Sequence, residues 1–242
     1  MSRLPDAVVR YAAHDDGVLD VHLPAGGGTA PLLVLVHGGF WKQAYDRVHT
    51  RPAAEALAAE GFVVATPEYR RVGGGGGWPT TAADVDAAVA AIPGLLRGLG
   101  VATSGTTVVG HSAGGHLVLW LANQGHELDL VVGLAPVADL RAAARLGLGG
   151  GATQALLGGE PDDVPDAYAA ADPMTRLAAQ PRCPVRVVHG TEDEDVPLSV
   201  SRGLAAAHPF VSLDVVAGAG HMDLVDPGSA AWPAVLHALG RR

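Results

Sequence analysis

The strongest chemical signal in the sequence is a serine flanked by glycines in the run TVVGHSAGG, which occupies residues 107–115. Gly110, Ser112 and Gly114 form the pattern G-x-S-x-G between an apolar, β-branched run and a segment with helical spacing. A serine at such a strand–turn–helix junction is strained, and its hydroxyl is lifted above the carboxyl edge of the sheet. The first amides of the helix then face the oxygen that turns negative when the hydroxyl attacks a carbonyl group. Ser112 is therefore the predicted catalytic nucleophile, with a structural turn as the alternative.

A serine nucleophile needs a general base, usually a histidine on a loop at the same edge of the sheet. Of the 11 histidines, His221 follows the apolar run 211–216 and the turn Gly-Ala-Gly at residues 218–220. This position predicts that His221 is the base.

The remaining histidines have structural interpretations. His37 and His189 end apolar runs but precede glycine, which favours a loop-shaping role. His111 flanks the nucleophile and is expected to point away from it. Four further histidines fall in polar surroundings and are expected to be solvated: His14, His49, His126 and His208.

The acid that orients the histidine should lie between serine and histidine in the sequence, at the end of a strand. The run HGTEDEDVP at residues 189–197 follows the apolar run 185–188 and contains four acidic residues. Spacing alone does not choose between Asp193 and Asp195. The other two acids of the run are Glu192 and Glu194. At least two of the four acids are expected to be solvated.

A second glycine-rich loop, His37-Gly38-Gly39-Phe40-Trp41, directly follows the apolar run 32–36. Its glycines allow backbone N–H groups to turn toward the site, and the N–H of Ala113 is the other predicted donor to the oxyanion. Losing one such donor typically costs ~10²–10³ in turnover.

The elements that must position these residues alternate along the chain. Apolar runs predict strands at 18–23, 32–36, 62–65, 106–109, 130–134, 185–188 and 211–216. The middle five runs lack polar alternation, which is typical of strands covered on both faces. Segments with helical spacing predict helices at 52–60, 81–99, 113–123, 199–207 and 232–239. This alternation predicts an α/β fold with a mostly parallel central sheet and helices on both faces.

Three local features carry their own expectations. Asp20 and His22 interrupt the first run, which is typical of a strand at a sheet edge. Pro93 is expected to kink or divide the segment 81–99. Residues 139–173 are longer than an ordinary connection and predict either a lid-like insertion or a loose loop.

Composition limits the class of protein. Of the 242 residues, 48% are hydrophobic, which excludes an intrinsically disordered chain, and the length predicts a single domain over residues 1–242. The 16 basic residues are scattered among 25 acids, and this balance argues against a nucleic-acid partner. The lone Cys183 forms no intrachain disulfide, and no two histidines have metal-ligand spacing, so neither a metal nor another cofactor is predicted.

The sequence also bears on location. Pro5 and Asp6 fall where a signal peptide would have its apolar core, and no run approaches the ~18 apolar residues of a membrane span. A cytoplasmic protein with no membrane partner is therefore expected, while the sequence leaves the oligomeric state open.

The order Ser112, Asp193, His221 resembles that of the α/β-hydrolase superfamily of serine hydrolases. In that superfamily the stretch similar to His189-Gly-x-x-Asp-x-x-Val-Pro carries the triad acid four residues after the histidine, so the resemblance selects Asp193. It implies the α/β-hydrolase fold and hydrolysis of a small or medium ester, or a reactive amide, through an acyl-enzyme. A non-catalytic ligand-binding protein of this fold is the alternative from another class.

The form HGG-x-W resembles the arylformamidase (kynurenine formamidase)-like branch of carboxylesterases, which also tends to carry a Tyr-Arg such as Tyr69-Arg70. Phe40 stands where lipases of the hormone-sensitive type have a third glycine. By resemblance, Gly39 and Phe40 supply oxyanion donors together with Ala113, and hydrolysis of N-formylkynurenine is the alternative activity. Trp41 is either a pocket or a core residue, and Trp78, after the glycine run 73–77, is expected to shape the pocket.

Overall fold

The structure, a computed structural model, describes residues 4–241. Eight strands form one sheet in the order β1-β2-β4-β3-β5-β6-β7-β8, in which β1 and β2 run antiparallel to their neighbours and the others are parallel. The strands are β1 (Ala7–Arg10), β2 (Val18–His22), β3 (Ala30–Val36), β4 (Val63–Pro67), β5 (Thr103–His111), β6 (Leu130–Leu134), β7 (Val185–Gly190) and β8 (Val211–Val216).

Nine α-helices connect these strands. They are α1 (Arg51–Ala59), α2 (Thr80–Gly98), α3 (Ala113–Leu121), α4 (Leu140–Arg145), α5 (Ala152–Leu157), α6 (Pro165–Ala171), α7 (Pro173–Arg176), α8 (Leu198–Ala207) and α9 (Trp232–Ala238), as described within residues 4–241. Two short 3-10 helices span Arg47–Thr50 and Met222–Val225.

The core lies on both faces of the sheet, because successive side chains of the parallel strands point to opposite sides. In β3, Leu32 and Val34 pack on the face covered by α2, α3 and α8, whereas Leu33 and Leu35 pack on the face covered by α1 and α9. This arrangement confirms the predicted fold class, a mostly parallel α/β sheet between helices.

The prediction that residues 18–23 lie at a sheet edge is wrong. β2 is paired on both sides, and β1, which the sequence did not predict, occupies the edge. The polar residue that suggested an edge, Asp20, is fully buried because its carboxylate binds Arg47 Nε at 2.9 Å and Arg51 Nε at 2.8 Å. A paired charge can occupy an interior strand that an unpaired one could not.

The structure also answers the expectations for Pro93 and for residues 139–173. α2 runs through Pro93 without interruption, so this proline does not divide the helix. Residues 139–173 are neither loose nor extended, since they contain α4, α5 and α6. No helix within residues 4–241 has the length and apolar character needed to cross a membrane. The predictions of a single domain and of a cytoplasmic location stay predictions.

Candidate active site

Ser112 sits at the sharp turn between β5 and α3. Its backbone has φ 55° and ψ −116°, a left-handed conformation that costs a residue other than glycine about 1–3 kcal/mol. The strain is held by hydrogen bonds, since Ser112 N donates to Leu134 O at 2.8 Å and its carbonyl accepts from Val137 N at 3.2 Å. The backbone position of Ser112 is therefore fixed at this turn.

Two glycines allow the turn to be this tight. A methyl group added at Gly110 would lie 2.2 Å from the carbonyl oxygen of Gly114, and one added at Gly114 would lie 2.2 Å from that of Val36. Neither space accepts a side chain. The spacing of G-x-S-x-G thus follows from the close approach of β5, α3 and the end of β3.

His221 and Asp193 meet at the carboxyl edge of the sheet. His221 Nδ1 lies 2.7 Å from Asp193 Oδ2, and the Asp193 side chain is fully buried. Because an ionised carboxylate only accepts hydrogen bonds, Nδ1 carries the proton and Nε2 is left as the acceptor. This is the tautomer that a general base for serine requires.

Asp193 is a fully engaged carboxylate. Its Oδ1 accepts from Asp195 N at 3.0 Å and Val196 N at 2.8 Å, while Oδ2 also lies 3.2 Å from His189 Nε2. Burial by itself would raise the pKa of Asp193, but the hydrogen bonds from His189 and His221 outweigh burial and hold the pKa well below its usual range. The carboxylate therefore stays charged beside His221.

The other acids of this loop face solvent. Glu192, Glu194 and Asp195 are all exposed, and among the described contacts the Asp195 side chain has no hydrogen-bond or ion-pair partner. The structure thus pairs His221 with Asp193, the residue that the resemblance selects, and leaves Asp195 outside the pair.

His189 does more than shape a loop. Its Nε2 lies 2.9 Å from Val196 O as well as near Asp193, and its Nδ1 lies 2.7 Å from Ser201 Oγ. Since the carbonyl oxygen can only accept, Nε2–H donates and is shared with the Asp193 carboxylate. The spacing of four residues between His189 and Asp193 could have indicated this contact, but the sequence prediction did not include it.

His111, the residue before Ser112, packs against His221. Its ring lies 4.5 Å from that of His221, and its Nε2 donates to His221 O at 3.0 Å. Burial and, to a smaller extent, the nearby His221 lower the pKa of His111 to about 3, so the ring is neutral. His111 therefore fixes the backbone of the base, a role that the sequence did not predict.

The loop after β3 adopts three consecutive left-handed residues. Gly39 has φ 106°, Phe40 50° and Trp41 54°. The preceding Gly38 touches the nucleophile turn, since a methyl group added there would lie 3.1 Å from Ser112 Cβ. Within residues 4–241 neither Gly39 N nor Phe40 N donates to a protein acceptor, so both N–H groups are free to act as donors.

The first turn of α3 supplies a third donor. The first amides of a helix, here beginning at Ala113, have no partner within the helix and carry the positive end of its dipole. Gly39, Phe40 and Ala113 thus lie on the two loops that flank Ser112, as the sequence predicts for an oxyanion hole.

Trp41 and Trp78 have different surroundings. Trp41 is fully buried and packs edge-to-face on His116 with 5.2 Å between ring centroids, which is the core position that the sequence left open. Its buried indole does not support a place in the pocket lining. Trp78 is half-buried, packs on Trp120 at 5.5 Å, and stays the predicted pocket residue.

The segment 139–173 closes over the oxyanion loop. Lys42 Nζ donates to Gly149 O at 2.6 Å, and a methyl group added at Gly149 would lie 2.6 Å from the Phe40 ring. Buried Asp172 anchors the far end, where its carboxylate accepts from Leu140 N at 3.2 Å and Met174 N at 3.1 Å. This segment therefore contacts the candidate site as a lid-like insertion would.

One expected surface histidine is buried. His208 is 7% exposed, and its Nε2 donates to Met174 O at 3.0 Å, so the prediction that it is solvated is wrong. Among the described residues no group of three or more His, Cys, Asp or Glu side chains could hold a metal ion.

Comparison with known proteins decides the family. The family model BD-FAE matches residues 19–207, which is most of the chain. The chain belongs to the BD-FAE family. This α/β-hydrolase esterase family identifies it as an enzyme of the esterase class and does not confirm the arylformamidase-like branch. No curated protein matches the chain at a significant level.

Solved structures share the BD-FAE chain's fold. Esterase B of Lactobacillus rhamnosis is 18% identical with a TM-score of 0.81, covering 99% of this chain and 85% of that one. Thermogutta terrifontis esterase 2, phosphonylated by sarin, is 23% identical with a TM-score of 0.76, covering 98% and 94%. A bifunctional GH43-CE protein of Bacteroides eggerthii is 21% identical with a TM-score of 0.80; 98% of this chain covers only 38% of that one.

Proposed function

We propose that this protein is a serine hydrolase that cleaves a carboxylic ester of a small or medium substrate through an acyl-enzyme on Ser112. The observation that carries the proposal is the 2.7 Å contact between His221 Nδ1 and the buried Asp193 carboxylate, at the same edge of the sheet as a serine held at φ 55°. A strained serine and an imidazole oriented by a buried carboxylate at one sheet edge serve nucleophilic catalysis and have no comparable use in a ligand-binding protein.

In the acylation step, Ser112 Oγ attacks the substrate carbonyl carbon while His221 Nε2 takes the serine proton. The imidazolium that results keeps its Nδ1–H on Asp193, whose charge stabilises it. The carbonyl oxygen becomes negative and accepts hydrogen bonds from the amides of Gly39, Phe40 and Ala113. His221 then gives its proton to the leaving alcohol, and the C–O bond breaks.

In the deacylation step, water attacks the acyl-enzyme and His221 Nε2 takes a proton from that water. The same three amides hold the second oxyanion. Collapse of this intermediate returns the proton from His221 to Ser112 Oγ and releases the carboxylic acid. The cycle uses no group other than these side chains, the backbone and water.

The names of similar structures support an ester as the substrate. One is a truncated carbohydrate esterase from gut microbiota, 18% identical with a TM-score of 0.77, and another is esterase B inhibited by a tributyrin phosphonate. The Thermogutta esterase 2 is phosphonylated by sarin. We infer that this chain likewise acts on a small-molecule ester.

The second candidate, N-formylkynurenine hydrolysis, rests on HGG-x-W and on Tyr69-Arg70. Both of these last residues have structural work in the fold, which weakens them as markers of a formamide substrate. The Tyr69 hydroxyl donates to His37 O at 2.8 Å, and the Arg70 guanidinium binds the Asp84 carboxylate at 2.7 Å and 2.9 Å. Ester hydrolysis is therefore the proposal, and the formamide is an outcome of its test.

The test is a substrate panel run on the wild type and on Ser112→Ala. The panel contains short and long p-nitrophenyl esters, N-formylkynurenine and a peptide anilide. We expect turnover of the short esters by the wild type and a loss of roughly 10⁴-fold or more in Ser112→Ala, with unchanged circular dichroism. Ester turnover retained by Ser112→Ala would contradict the proposed nucleophile, and preferential turnover of N-formylkynurenine would favour the second candidate.

A further inference from the structure

A buried polar chain leads from the end of β4 to the peptide that carries one of the proposed oxyanion donors. Glu68 and His37 are 2% and 0% exposed. His37 Nε2 lies 2.7 Å from Glu68 Oε1, and His37 Nδ1 lies 2.8 Å from the carbonyl oxygen of Gly38. That carbonyl belongs to the same peptide group as the N–H of Gly39. The chain therefore ends at the donor itself.

Both ring nitrogens of His37 face acceptors. The Gly38 carbonyl oxygen cannot donate, so Nδ1 must carry a hydrogen. Burial would raise the pKa of Glu68, but the hydrogen bond and the charge of His37 outweigh burial and lower that pKa, so Glu68 is a carboxylate. Nε2 must then donate as well. His37 therefore donates from both ring nitrogens, to Gly38 O and to Glu68 Oε1.

The rings of Tyr69 and His49 pack against the His37 ring. The Tyr69 ring stacks on it at 4.3 Å and 11°, and the Tyr69 hydroxyl donates to His37 O. The ring of His49 meets it edge-to-face at 5.7 Å, and burial together with the charge of His37 lowers the pKa of His49.

The remaining contacts of Glu68 hold its carboxylate in place. Oε1 lies 3.0 Å from the Arg71 guanidinium and accepts from Tyr69 N at 3.1 Å, while Oε2 accepts from Arg47 N at 2.9 Å. Glu68 cannot rotate away from His37 without breaking all of these contacts. The His37 ring is therefore held by Glu68, which follows β4, as well as by its contact with the Gly38 carbonyl.

We propose that Glu68 and His37 are positioning residues that polarise the Gly38–Gly39 peptide and so strengthen the Gly39 N–H as an oxyanion donor. The inference rests on the proposed function, because it assumes an oxyanion beside Ser112. Consecutive hydrogen bonds strengthen one another by ~10–30% per bond, and one oxyanion donor contributes ~10²–10³ in turnover. Losing the polarisation should therefore lower kcat/KM roughly 2- to 8-fold.

The direct test is the protonation state of His37 in the wild-type protein. Proton–nitrogen NMR of the imidazole groups at about pH 8 should show two ring N–H signals for His37, identified by their absence in His37→Gln. This measurement depends on neither activity nor the folding of a Glu68 variant. A single ring N–H on His37 would overturn the proposal.

The kinetic test compares Glu68→Gln, Glu68→Asp and the control Asp20→Asn. Asp20 is a fully buried carboxylate that pairs with Arg47 and does not touch His37. For Glu68→Gln we expect the 2- to 8-fold fall in kcat/KM for p-nitrophenyl acetate, a matching fall in the rate of fluorophosphonate labelling, and loss of one His37 ring signal. Glu68→Asp should keep both signals and most of the rate, and Asp20→Asn should stay within 2-fold of wild type.

The outcomes separate the two levels of the account. An unchanged rate in Glu68→Gln, or an equal fall in Asp20→Asn, overturns the polarisation of the oxyanion loop. Failure of the wild type to be labelled at Ser112 contradicts the proposed function instead, whatever the His37 signals show. If Glu68→Gln does not fold, the wild-type signals and Glu68→Asp still decide.

Discussion

Replacing Asp193 by asparagine tests how the buried carboxylate sets the protonation of His221. Two backbone amides, of Asp195 and Val196, donate to Oδ1, so the carbonyl oxygen of an asparagine must take that position. Its NH₂ group then replaces Oδ2 and faces His221 Nδ1. Because an amide nitrogen only donates, Nδ1 must become the acceptor and the proton moves to Nε2. In this tautomer His221 cannot accept the serine proton.

The magnitude follows from this change of tautomer. The equivalent exchange in a serine triad lowers kcat about 10⁴-fold, which is about 5.5 kcal/mol of transition-state stabilisation. Stability should fall as well, by about 1–3 kcal/mol, because the new NH₂ group also opposes the buried Nε2–H of His189 at a contact now 3.2 Å long. We therefore expect Asp193→Asn to fold but to be nearly inactive.

The assay is kcat for p-nitrophenyl acetate, with urea unfolding of the same samples. Asp195→Asn is the matched control, because Asp195 is exposed and lies two residues away in the same loop. It should keep at least half of the wild-type rate. Equal activity in the two variants, or a larger loss in Asp195→Asn, would refute the reasoning from the carboxylate geometry.

Three further predictions follow from the same region. Gly38→Ala should lower kcat roughly 10- to 10³-fold in a folded protein, because its methyl group would lie 3.0 Å from His111 O and 3.1 Å from Ser112 Cβ and displace the oxyanion loop; wild-type kcat would contradict this. The pKa of His111 is about 3, below the ~6.5 of an unfolded chain, so the ring stays neutral in the folded state. Its contribution to stability is therefore lost as the pH falls from ~6.5, where the unfolded chain begins to bind a proton at this residue. We measure the free energy of unfolding in urea between about pH 6 and 4. As the pH falls, this free energy should decrease in His111→Gln by up to about 1.4 kcal/mol per pH unit less than in the wild type. An equal pH dependence in the two proteins would argue against the neutral ring. Trp78→Ala should raise KM for aromatic esters several-fold with kcat changed less than about 2-fold, as for uniform binding, and an unchanged KM would remove Trp78 from the pocket.

Most of the fold could be predicted from the spacing of apolar residues along the sequence. The inner strands β3 to β7 contain continuous apolar runs because helices cover both faces, and each run expected from the sequence falls on a strand. β1 was missed because its side chains alternate between partial burial and exposure over only four residues. The edge assigned to β2 failed for a different reason, since the Arg47 and Arg51 partners of Asp20 come from a later segment that spacing does not place beside it.

Some residues of the candidate site could be predicted from the sequence, and others could not. Ser112, His221 and the glycine loop follow strand ends, where parallel topology brings them together, so the sequence alone points to them. The choice of Asp193 over Asp195 depended on resemblance, because both lie in the same exposed-looking acidic run. The contacts of His111, His189 and Glu68 were not predicted, since each depends on which way a buried side chain turns.

The central claim is that Ser112 is the nucleophile that carries the acyl group. Its most direct test is mass-spectrometric peptide mapping after reaction with diisopropyl fluorophosphate. The account predicts one adduct, located on Ser112, in step with loss of p-nitrophenyl acetate turnover, and none in Ser112→Ala. Loss of turnover with the adduct on another residue, or full turnover with Ser112 modified, would contradict it.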